Sequence, residues 1–65
     1  MSKDPKVVLK MTLSAAQALA LAQFVKRVGW SEIRANATDE FEAHLMLEAV
    51  NLVQRELAAK GYAPR

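Results

Sequence analysis

"KVVLKMTLSAAQ", Lys6 to Gln17, carries two different periodicities in succession. Val7, Leu9, Met11 and Leu13 alternate with Lys6, Val8, Lys10 and Thr12, the period of two expected of a strand with one covered face. Ser14 followed by Gln17 then fits a capping box, in which the serine oxygen accepts from the third helical N–H and the glutamine reaches back. The stretch therefore predicts a β-strand over 6–13 and a helix from Ala15. A strand needs partners for its backbone donors and acceptors, and no second segment of the chain has a comparable pattern. The predicted partner is the same strand of a second copy, paired antiparallel about a two-fold axis; the alternative is a strand that packs on the helices of its own chain and stays unpaired.

Upstream, residues 1–5 are polar and contain a proline, which predicts a frayed arm. Downstream, Ala18, Leu21, Phe24, Val25 and Val28 share a helical stripe, so the first helix is predicted over 15–28. Leu19 falls on the polar side of that helix. Gly29 is expected as a left-handed cap with Trp30 folded back on Val25, and Lys26 and Arg27 suit the negative end of the helix dipole. Ile33 does not keep the phase of the apolar positions beyond Thr38, so 29–37 is read as a bent connector.

Thr38 is expected to cap a long helix over 39–60, with Asp39 and Glu40 in its first turn. Gly61, Tyr62 and Pro64 end it, and 61–65 is a tail. This helix has two apolar seams side by side: Phe41, Leu45, Ala49 and Leu52, and next to them Met46, Val50, Val53 and Leu57. Together they cover about half the circumference, more than the stripe of somewhat over ~100° that packing on one side requires. Two seams imply two partners, the first helix and a second copy. Val7, Leu9, Met11, Met46, Val50, Val53 and Leu57 are the expected dimer interface. The fold class predicted is mainly α: one N-terminal strand, then a two-helix hairpin, as a homodimer of a single domain over 1–65.

Composition narrows the function. Sixty-five residues lie near the lower limit for a core that is stable unaided, and the chain has no cysteine and one histidine, His44. Disulfides, thiolate zinc sites and multi-histidine metal sites within one chain are excluded, which leaves oligomerisation as the stabiliser. No apolar run approaches the ~20 residues of a membrane span, and the N-terminus lacks a signal-peptide pattern, so a cytoplasmic protein is expected. Asn36-Ala37-Thr38 matches a glycosylation sequon, which without a secretion signal is read as chance. No nucleophile, cofactor loop or small-molecule pocket is indicated, so neither an enzyme nor a cofactor is expected. His44, Glu48, Asn51 and Arg55 line one side of the long helix and read as a solvated face with i,i+4 pairs.

The net charge of +2 is unevenly spread: up to Trp30 there are five basic residues against one acidic, and beyond it four against six. The basic half holds the predicted strand. Strand, helix, helix with a basic strand resembles the ribbon-helix-helix family of DNA-binding repressors over about Lys6 to Lys60. That resemblance implies a two-stranded ribbon in the major groove, with Lys6, Val8, Lys10 and Thr12 facing base edges and Lys3 following the backbone. "RVGWSEIR" is similar to the turn between that family's helices. Two features depart from it. The linker is longer, and the second helix starts with Thr38-Asp39-Glu40, whose carboxylates repel the phosphate that the family seats there.

The alternative is a protein-binding inhibitor or adaptor. Trp30 is suited to be an anchor for a protein partner, with Arg27 and Arg34 as a rim, and Leu19 and the His44 to Arg55 side are the other surfaces such a module would use. "LAQFVKRVGW" and "GYAPR" resemble short uncharacterised bacterial proteins of plasmids and prophages, a setting that includes both regulators and inhibitors.

Overall fold

The computed structural model describes residues 4–64, and it contains three helices: α1 (Ala15–Arg27), α2 (Trp30–Asn36) and α3 (Glu40–Ala59). The predicted strand over 6–13 is not formed. Among the described residues there is no β-strand, and residues 4–13 precede α1 as irregular chain. The reason is the one that made the strand questionable in isolation. A ladder needs a second edge, and this chain supplies none. The mainly helical character stands, and the strand-plus-hairpin description is replaced by a three-helix one.

Helix α1 begins where the capping box places it. Ser14 Oγ accepts from the Gln17 N–H at 3.0 Å, and the Ser14 N–H donates to Gln17 Oε1 at 3.0 Å. Its other end differs from the expected glycine cap. Val28 is the C-cap, its N–H donating to the Phe24 carbonyl at 2.9 Å, and Gly29 has φ −108°, ψ 175°, an ordinary extended conformation. Gly29 is instead the N-cap of α2, its N–H donating to Glu32 Oε1 at 2.8 Å. The connector predicted over 29–37 is thus largely helical. Glu32 caps it, and Ile33, out of phase with α3, is in phase for a helix of its own and is buried.

At the start of α3 the cap is Asp39, one residue beyond the expected Thr38. Asp39 Oδ1 accepts from the Glu42 N–H at 2.8 Å, while the Thr38 N–H and hydroxyl both donate to Glu42 Oε1 at 2.7 and 3.0 Å. The far end is a Schellman motif. Tyr62 N–H donates to the Leu57 carbonyl and Gly61 N–H to the Ala58 carbonyl, and Gly61 is left-handed at φ +94°.

Helices α1 and α2 both pack on α3. The core is Ala18, Ala22, Val25 and Leu57, with Leu13, Leu21, Val50 and Tyr62 against it, and Ile33 and Ala43 are buried as well. Half of the six buried residues are alanines, which lets helices approach closely but removes little apolar area from water. Phe24, expected in the stripe of α1, is 62% exposed.

The outcome is an open molecule. Its accessible surface is 5713 Å² for 7.2 kDa, where a folded monomer of that mass is expected to expose ~4,100 Å². Its radius of gyration is 13.1 Å against an expected ~10.7 Å for the length. Among the described residues no helix is long and apolar enough to cross a membrane.

Candidate interaction surfaces

Surplus surface is informative where it is apolar and contiguous, and in three places it is. The first lies between the N-terminal segment and the helices. Val7, Leu9, Met11 and Leu13 line a cleft whose other wall includes Leu52, Val53, Leu57 and Tyr62. The residues between them, Lys6, Val8, Lys10 and Thr12, do not line it and are exposed. The alternation in the sequence thus survives only as a difference in which side chains line this open cleft. Leu13 alone of the four apolar residues reaches the core, and Val7, Leu9 and Met11 remain exposed.

The second surface is one face of α3. At 100° per residue, Phe41, Leu45, Ala49 and Leu52 fall within a single quadrant. Phe41 is 73% exposed, Leu45 49% and Leu52 55%. Met46 and Val50, on the adjoining face, are half-buried and Leu57 is buried. The two seams are thus divided between the inside and the outside of one chain. Residues expected at the dimer interface split with them. Met46, Val50 and Leu57 are taken up within the chain, while Val53 sits at the rim of the cleft. The outward seam meets the first surface at Leu52, which belongs to both.

The third surface is a groove of α1 and α2, lined by Leu19, Phe24 and Val28 with Gln23, Arg27, Glu32 and Asn36 around them. An Arg27 guanidinium N–H donates to Gln23 Oε1 at 2.6 Å, and Asn36 Nδ2 donates to the Glu32 carbonyl at 2.8 Å. Leu19 and Arg27, singled out from sequence, come together here. Trp30 and Arg34 do not line the groove. Trp30 opens α2, and its ring centroid lies 5.0 Å from that of His44 at a tilt of 41°. Arg34 Nη1 is 3.4 Å from the Ala37 carbonyl, a long hydrogen bond that closes α2. Trp30 packs forward on His44 of α3.

Of the predicted DNA contacts, Lys6, Lys10 and Thr12 are exposed on the irregular segment, and Lys3 lies outside the described residues. The row of His44, Glu48, Asn51 and Arg55 is exposed along α3, with His44 in ring contact with Trp30. Sequence reasoning passed over Phe24 as a surface residue. The available signal was the row Ala18, Ala22, Val25, which fills the buried side of α1 and turns Phe24 away from it.

The model of DUF7706, described as a family of unknown function, matches residues 1–65, and the chain belongs to that family. No curated protein and no solved structure matches it.

Proposed function

We propose that this member of DUF7706 is a non-enzymatic protein-binding module of the cytoplasm that assembles as a homodimer. The observation carrying the proposal is the surplus surface, about 1,600 Å² beyond a compact monomer by the mass scaling, much of it formed by large apolar side chains. A standard interface removes ~800 Å² from each partner, so the surplus has room for a second copy and for a further partner. The groove of α1 and α2 has the anatomy of the latter site: Leu19 and Phe24 at the centre and Gln23, Arg27, Glu32 and Asn36 at the rim. Its occupant is an apolar segment of another protein, an amphipathic helix laid along α1, whose polar groups meet that rim. Trp30, outside that groove and exposed at the start of α2, is a further candidate contact.

The test is site-specific photocrosslinking in cells, with the photoreactive residue at Leu19, Phe24 or Asn51. A discrete heteromeric adduct from the first two positions and none from the polar position Asn51 is the expected result. Absence of adducts from Leu19 and Phe24 would sink the assignment.

A second reading is supported by one observation, that Lys6, Lys10 and Thr12 sit together away from the cleft, in the more basic half of the chain. There they could follow a DNA backbone as a flexible arm, with no ribbon involved. Binding to duplex DNA would then fall steeply with salt and disappear in the Lys6→Ala/Lys10→Ala variant. Binding that is absent at low salt, or unchanged in that variant, removes this reading.

A further inference from the structure

We infer that the second copy docks on the outward seam of α3, with the two α3 helices antiparallel about a two-fold axis and each copy's cleft wall at Leu52 and Val53 continuing the contact. The inference rests on the self-assembly proposed above and specifies its surface, which is not the seam that the sequence pattern selected.

Three observations identify the occupant as this same chain. The first is pairing along the seam. In an antiparallel arrangement centred at Leu47, Leu45 of each copy lies opposite Ala49 of the other, and Phe41 lies within one residue, ~1.5 Å, of the level of Leu52. Large meets large at the ends, and large meets small on either side of the centre, the interdigitation that helix packing needs. A foreign helix would have to match this order by coincidence, whereas the chain matches itself.

The second is charge. The first turn of α3 carries Glu40 and Glu42 beside the capping Asp39, while its last turn has no basic residue and Arg55, Glu56 and the C-cap Lys60 leave that end with a net charge of +1. Antiparallel packing sets the acidic end of one helix beside the basic end of the other. Parallel packing would set the three carboxylates beside their own copies.

The third is area. Phe41 to Leu52 spans ~16 Å of helix, too short a stripe for a stable interface on its own. The seam is continuous at Leu52 with the cleft, so a neighbour seated on it also meets Val53 and the exposed Val7, Leu9 and Met11. With that addition the contact falls within the surplus surface of each chain.

The chain has no cysteine, which makes a disulfide test clean. Sedimentation equilibrium of the full chain from ~1 to ~500 μM would be compared with Leu45→Glu and Leu52→Glu, both at exposed positions, with far-UV circular dichroism as the check on folding. Separately, Phe41→Cys and Leu52→Cys proteins would be oxidised alone and as a mixture. The expected results are a wild-type dimer, association weakened at least tenfold towards monomer in both glutamate variants with helix content retained, and a covalent heterodimer only in the mixture. A monomer across the whole range overturns the inference together with the proposed self-assembly, and leaves the α1–α2 groove to be judged by its own crosslinks. A dimer indifferent to both glutamate variants overturns the surface alone. Crosslinking of either cysteine protein with itself overturns the antiparallel arrangement.

Discussion

The Trp30 indole and the His44 imidazole lie 5.0 Å apart between ring centroids, so the first residue of α2 is held against the second turn of α3. Trp30 is the chain's only tryptophan and is 41% exposed, which makes its emission a reporter of this contact. His44→Ala should shift that emission to the red and lower stability by ~0.5 kcal/mol, the low end for an aromatic pair because both rings are partly in water. An unchanged spectrum would show that the rings do not meet in solution.

Ile33 anchors a helix of seven residues and is its single buried side chain. Ile33→Ala should destabilise the protein by ~2–4 kcal/mol in denaturant titration, through lost burial and an unfilled cavity. For a domain of this size that is a large part of the total. A cost below ~1 kcal/mol would mean that α2 is not docked.

The two glycines should behave in opposite ways. Gly61→Ala puts a Cβ into a left-handed conformation and should cost ~1 kcal/mol, although nothing lies within 4 Å of the added atom. Gly29→Ser meets only Glu32 Oε1, at 3.0 Å, which must shift by a few tenths of an ångström while keeping its bond from the residue 29 N–H, in a backbone conformation suited to an N-cap serine. It should be neutral or stabilising by a few tenths of a kcal/mol, as read from denaturant midpoints.

Ala43 is wholly buried, at a position where α3 receives its neighbours. Ala43→Leu should cost ~1–3 kcal/mol, because the added atoms have no space unless the helices separate. The same substitution at the exposed Ala49 should leave the fold intact, and the pair distinguishes the inward face of α3 from the outward one.

Both long helices were legible in the sequence because their ends carry side-chain chemistry that acts locally: Ser14 with Gln17 at one start, Gly61 with Tyr62 at one finish. Gly29 misled for the same reason. A glycine followed by an aromatic matches a helix ending, but whether the chain then turns left-handed or begins another helix depends on Glu32 and on the burial of Ile33, which is a tertiary event. The N-terminal alternation suggested a core face, but Val7, Leu9 and Met11 are exposed like Val8, and of that face only Leu13 reaches the core. The alternation could not decide whether a ladder forms, since that depends on a partner edge outside the segment. The two seams of α3 were visible as well, but a helical wheel has no origin. Which seam faces inward was settled by Ala43, Val50 and Leu57 meeting α1 and α2, leaving Phe41, Leu45 and Leu52 outside.

The links between the helices are short: Val28 and Gly29 join α1 to α2, and Ala37, Thr38 and Asp39 join α2 to α3. Most contacts are made within the helices, with the packing of Ala18, Ala22 and Val25 on Leu57 as the long-range part, and mainly helical domains of this kind fold in microseconds to milliseconds. Encounter between two chains is second order and slows as they are diluted. On the proposed dimer, each molecule just after synthesis, while copies are few, would be helical before it meets a neighbour, so the delay before assembly would be set by expression level and not by the folding of the chain.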